Sequence, residues 1–101
     1  MRLIILGSGY VGLVSGCCFA EFGFEVICVD VDHSKIRQLQ QGTLPIYEPE
    51  LAMLFSKNLA AKRISFTTNL YAAINNVDLI LLASDTANIP NTAEVDLSAM
   101  L

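Results

Sequence analysis

The chain has 101 residues, 53% of them hydrophobic and 16% charged, which fits one globular domain and excludes a disordered segment. Its net charge of −4, with Arg2, Lys35, Arg37, Lys57, Lys62 and Arg63 scattered along it, leaves no basic stripe, so no nucleic-acid partner is expected. No apolar run approaches the ~18 residues that span a bilayer, and the run after Met1 and Arg2 stops at Gly7, too short for a signal peptide, so no membrane partner is expected.

Leu3 to Leu6 is a continuous apolar run ending at glycine, the pattern of a strand covered on both faces. Gly7-Ser8-Gly9-Tyr10-Val11-Gly12 follows at once. Val11, Val14, Cys18 and Phe22 then fall at helical spacing, and Gly23 marks the stop. Glu25 to Val29 reads as a second strand, ending at Asp30. Residues 3 to 30 therefore form a strand, glycine turn, helix and strand, one βαβ unit.

Asp32 or Ser34 can cap a short helix that runs through Leu39 and Gln41 to Gly42. Residues 43 to 49 form a loop stiffened by Pro45 and Pro49, and Pro49 suits the first turn of a helix striped by Leu51, Leu54, Phe55 and Leu59. Ile64 to Thr67 is a third strand. Asn69 can cap a helix over Tyr71 to Ile74. Leu79 to Ala83 is a further apolar run and a fourth buried strand. Residues 84 to 94 read as a loop, and 96 to 101 as the start of another helix.

This alternation predicts an α/β, Rossmann-like parallel sheet of order 3-2-1-4 with helices on both faces. A full dinucleotide-binding domain has six strands, so the sheet is expected to be incomplete, with strand 4 an apolar edge inviting self-association. Cys17, Cys18 and Cys28 fall inside the first helix and second strand, where buried small hydrophobes are expected and nucleophiles are not. Three thiols, two adjacent in sequence, point to free cysteines and a reducing cytoplasm. His33 is expected to be an exposed turn residue. No catalytic or metal-ligating set is expected in the chain.

The glycine turn carries the chemistry. Gly7 permits the sharp exit from the strand, Gly9 lets backbone approach a pyrophosphate, and Gly12 lets the helix pack close to the strands. The helix opening offers free N–H groups to phosphates. Asp30, 18 residues after Gly12, stands where a carboxylate accepts from the adenosine ribose hydroxyls and repels a 2′-phosphate, favouring NAD over NADP. Asp30 is preferred over Asp32, and Lys35 is a candidate to flank the ribose.

The segment Gly7-Ser8-Gly9-Tyr10-Val11-Gly12-Leu13 resembles the fingerprint of the UDP-glucose/GDP-mannose dehydrogenase family, as do Val29-Asp30-Val31-Asp32 with Lys35-Ile36, the loop Pro45-Ile46-Tyr47-Glu48-Pro49, and Arg63 to Thr68. The match runs to about residue 83, and the Tyr-Glu-Pro loop discriminates most. The resemblance implies cofactor binding by Gly7, Ser8, Gly9, Tyr10, Val11, Gly12, Asp30 and Lys35, with a contact from Thr86. It implies the NAD-binding part of an enzyme that oxidises UDP-glucose to UDP-glucuronate, spanning residues 1 to 101. In the family, the catalytic cysteine and lysine and the UDP-sugar site lie further along, so weak NAD or ADP binding without turnover is expected. Glu50 and Asp85 stand where glycines are usual, and Ala87 where proline is. A non-catalytic NAD-sensing domain and a degenerate, non-binding remnant remain as alternative readings.

Overall fold

The computed structural model of the chain describes residues 1–83. Four strands, β1 (Arg2–Leu6), β2 (Glu25–Val29), β3 (Ile64–Thr67) and β4 (Leu79–Leu82), alternate with four helices. The helices are α1 (Tyr10–Glu21), α2 (His33–Gln40), α3 (Pro49–Ala60) and α4 (Leu70–Ala73). The sheet is all parallel and ordered β3-β2-β1-β4. This is the Rossmann-like order anticipated from the alternation of elements.

Register decides where a site can form. Leu6 pairs with Val29 and with Leu82, and Val29 pairs with Thr67. All four strands therefore end level, and the turns that leave them share one edge. In open parallel sheets, that carboxyl edge is where ligands sit.

The central strands are buried on both faces, as their unbroken apolar runs require. Leu3, Ile5, Val26, Cys28, Ile64 and Phe66 face one layer, with Leu13 and Cys17 of α1, Ile36 and Leu39 of α2 and Leu51 and Phe55 of α3. Ile4, Leu6, Ile27 and Val29 face the other, beneath Leu70 and Ala73 of α4, which carries the chain across from β3 to β4. Each fully buried aliphatic side chain contributes about 1.5–3 kcal/mol.

Local chemistry sets the helix ends. Asp32 caps α2, its carboxylate accepting from the Lys35 amide at 3.1 Å, so the cap is Asp32 and not Ser34. Glu48 caps α3 by accepting from the Glu50 amide at 3.2 Å, and Pro49 occupies the first helical position. Asn69 caps α4 by accepting from the Ala72 amide at 3.1 Å. The Glu-Pro pair of the discriminating loop thus has a plain structural role, while Tyr47 beside it is 98% exposed.

Three expectations need correction. The face of α1 that meets the sheet is Gly12, Leu13, Gly16, Cys17 and Ala20, whereas Val11, Cys18 and Phe22 are exposed. Nearly every α1 residue is apolar or small, so spacing alone selects no face. The small residues decide it by allowing close approach. Cys18 is accordingly not a buried hydrophobe, unlike Cys17 and Cys28. Strand β4 is the anticipated apolar edge and not a buried strand: Leu79 and Leu82 are 45% and 55% exposed, and among the described residues only β1 flanks it.

Candidate functional site

The glycine turn leaves β1 at the level edge. Gly7 donates its amide to the Val29 carbonyl at 2.7 Å, extending the β1–β2 ladder by one rung, and adopts φ +105°, a conformation that favours glycine. Ser8 follows, fully buried. Gly9 is the N-cap of α1, and no side chain caps that helix. The first intrahelical bond runs from the Leu13 amide to the Gly9 carbonyl at 2.9 Å. The amides of Gly9, Tyr10, Val11 and Gly12 therefore have no intrahelical acceptor and stand at the positive end of the helix dipole.

Space at this opening is distributed unevenly. A Cβ on Gly12 would strike the carbonyl of Gly7 and lie 3.4 Å from Ala83 Cβ, so only glycine fits where the helix crosses the strand ends. A Cβ on Gly9 would meet nothing within 4 Å. Among the described residues, none beyond its chain neighbours therefore crowds Gly9, and Tyr10 and Val11 beside it are exposed. A helix N-terminus without a side-chain cap is a fitting cradle for a phosphate group.

Asp30 closes the other side. Its amide continues the β2–β3 ladder to the Thr67 carbonyl at 3.2 Å. Its Oδ2 accepts from both the amide and the hydroxyl of Ser8, at 2.9 and 2.8 Å, and its Oδ1 accepts from the Asp32 amide at 3.1 Å. Partial burial works to raise the Asp30 carboxyl's pKa. The Ser8 and Asp32 amides, the Ser8 hydroxyl and the Lys35 charge outweigh it and hold the group below its ordinary value. Asp30 is thus an anion held against the helix opening, while the Asp32 carboxylate is turned to the Lys35 amide.

The structure brings together Gly7, Ser8, Gly9, Tyr10, Val11, Gly12 and Asp30 at one edge, with Lys35 close enough to act on Asp30 electrostatically. Thr86, Asp85 and Ala87 lie outside the described residues. The sequence did not reveal the Ser8–Asp30 pairing. Its only trace was a hydroxyl placed one residue beyond the turn off β1, with an acid one residue beyond β2 and the two strands in register.

The thiols stand apart from this site chemically. Burial pushes Cys17 up to about 11, with Cys18 adding to the shift, and burial raises Cys28 further. Among the described residues no group of His, Cys, Asp or Glu side chains is arranged to hold a metal, and no helix is long and apolar enough to cross a membrane.

A sequence model described as the UDP-glucose/GDP-mannose dehydrogenase family, NAD binding domain, matches residues 1–101. The UDP-glucose 6-dehydrogenase of Bacillus subtilis (strain 168) is 48% identical over 97 residues, which is 96% of this chain and 21% of that protein. That of Rhizobium meliloti (strain 1021) is 44% identical over 98 residues, 97% of this chain and 22% of that protein. Among solved structures, a ternary complex of GDP-mannose dehydrogenase from Pseudomonas aeruginosa matches with a TM-score of 0.78 at 33% identity, over 97% of this chain and 23% of that one. A UDP-glucose dehydrogenase from Pyrobaculum islandicum matches with a TM-score of 0.73 at 34% identity, over 80% of this chain and 19% of that one. The chain spans about a fifth of the length of the curated relatives it matches.

Proposed function

The chain belongs to the UDP-glucose/GDP-mannose dehydrogenase family, whose NAD-binding domain it matches, and from that membership we propose that it supplies the adenosine and pyrophosphate half of the cofactor site of an enzyme oxidising UDP-glucose to UDP-glucuronate. NAD, when bound, accepts the hydride that leaves the sugar's C6 carbon. This chain's part is to hold and orient. The free amides from Gly9 to Gly12 receive the pyrophosphate. Asp30 accepts from the adenosine ribose, Tyr10 and Val11 border the phosphates, and Lys35 flanks the ribose. Ser8 acts through Asp30, and Thr86 contributes a contact from beyond the described residues.

The observation that carries this reading is the anionic Asp30 hydrogen-bonded to Ser8 at the mouth of an uncapped helix. Because these residues serve the adenosine end alone, the chain binds ADP and NAD weakly and about equally, and binds NADP less well because Asp30 repels a 2′-phosphate. It does not turn over UDP-glucose. The exposed apolar edge at β4 supports self-association, and the free thiols support a cytoplasmic location.

Isothermal titration of the 101-residue chain with NAD, ADP and NADP tests the assignment. Similar constants for the first two and a weaker one for NADP are expected. A strong preference for NAD over ADP would contradict an adenosine-centred site.

A further inference from the structure

Resting on the cofactor reading above, we propose that Ser8 is a positioning residue: its buried amide and hydroxyl pin Asp30 Oδ2 inward, leaving Oδ1 as the oxygen that meets the ribose and discriminates a free 2′-hydroxyl from a 2′-phosphate. The geometry is specific. Ser8 donates twice to the same oxygen, at 2.9 Å from its amide and 2.8 Å from its hydroxyl. A carboxylate oxygen offers about two lone-pair sites, so Oδ2 is filled. Oδ1 accepts from the Asp32 amide at 3.1 Å and retains a site for one further donor.

Any residue but proline at position 8 would supply the amide. The hydroxyl is what serine adds. Ser8 is fully buried, so its hydroxyl has no water to turn to and depends on Asp30 for an acceptor. Two donors from one residue fix the plane of the carboxyl group as well as its location. With the hydroxyl removed, the group is held by the Ser8 and Asp32 amides alone, and the oxygen offered to the ribose is less firmly fixed.

The surroundings add no competing acid. On α2, Lys35 draws the carboxylate towards its ionised form. On β2, the Cys28 thiol is buried with its pKa raised, and stays neutral. The Asp32 carboxylate is committed to the Lys35 amide. From β3 the contact is the Thr67 carbonyl, which receives the Asp30 amide. The one titratable side chain of the glycine turn is Tyr10, which is exposed.

The test combines an NMR titration of the Asp30 carboxyl with calorimetric binding of ADP and adenosine 2′,5′-bisphosphate. It uses the wild-type chain, Ser8→Ala and Ser8→Cys. The cysteine variant keeps the site filled, with a somewhat larger atom, and replaces a strong donor with a weak one, so it answers the question if the alanine variant folds poorly. In both variants the Asp30 midpoint is expected to rise towards the ordinary carboxylate range. ADP affinity falls about tenfold, the effect of losing one charge-assisted hydrogen bond, and the preference over the 2′-phosphorylated nucleotide narrows.

An unmoved titration overturns the positioning role. So does equal weakening of both nucleotides, which a merely structural change would give. A wild-type chain that binds neither nucleotide overturns the cofactor reading and the specificity claim, while its Asp30 titration still decides whether Ser8 pins the carboxylate.

Discussion

Two glycines of the same turn are constrained for different reasons, and this separates folding from binding at single positions. A methyl group at Gly12 would enter the space of the Gly7 carbonyl. Overpacking against backbone that cannot swing aside costs about 3 kcal/mol. A methyl at Gly9 points into open space, and its φ of −74° is allowed for any residue. Gly12→Ala should therefore lower the thermal midpoint sharply. Gly9→Ala should hold stability to within about 1 kcal/mol, yet weaken ADP binding at least tenfold by filling the cradle. Thermal melts paired with ADP calorimetry check both, and equal stability losses would remove the distinction.

Asp30 yields a second prediction at this scale. Its folded-state pKa is lowered, so the unfolded chain binds the proton more readily at acid pH. The stabilisation is complete above the ordinary value of 3.8 and is lost as pH falls below it towards the folded value. Urea midpoints followed downward from pH 5 should fall for the wild-type chain more steeply than for Asp30→Asn, which has no carboxyl at position 30 to protonate.

Among the elements, α1 is the one whose packing depends on what its residues lack. A Cβ at Gly16 would lie 3.2 Å from Cys28 Sγ and 3.3 Å from Ile5 Cδ1 and Ile64 Cδ1. The helix therefore lies close against β1, β2 and β3 at its middle turn, and the same closeness fixes the position of its N-terminus over the strand ends. Gly16→Val should force α1 outward, costing about 1–3 kcal/mol, and should loosen ADP binding although residue 16 is remote from the phosphates. A variant at the exposed face, Cys18→Val, should change neither. Denaturant unfolding and ADP titration of the pair test this, and similar behaviour in both would show that close approach of α1 has no bearing on the site. The Asn69 cap was readable in advance, and Asp32 was one of two readings for α2, because a cap is local: each bonds an amide three residues on.

The whole molecule is organised by parallel strands ending at one level. Asp30 reaches Ser8 across 22 residues because Leu6 and Val29 are register partners. The same register brings Ala83 to the Leu6 carbonyl at 2.9 Å, so the chain leaving β4 departs from the edge where the glycine turn lies. Leu79 and Leu82 are exposed on opposite faces of β4, among the described residues only β1 pairs with this strand, and unpaired apolar edges associate. Sedimentation of the 101-residue chain should show concentration-dependent self-association that Leu82→Lys suppresses. A monomer at every concentration would remove the edge-pairing proposal.

The sequence by itself determined the order of elements, the strand order, the Asn69 cap and the place of the glycine turn, because apolar runs, cap residues and glycines act over a few neighbours. It did not determine which side of α1 meets the sheet, since a helix of almost uniformly apolar and small residues carries no periodic contrast. It read β4 both as a buried run and as a bare edge, because an apolar run states what a strand prefers and says nothing of whether a neighbour covers it. Only the tertiary structure decided that Ser8 holds Asp30. That pairing arises from lateral register between strands, set by hydrogen bonds and packing among residues far apart in the chain.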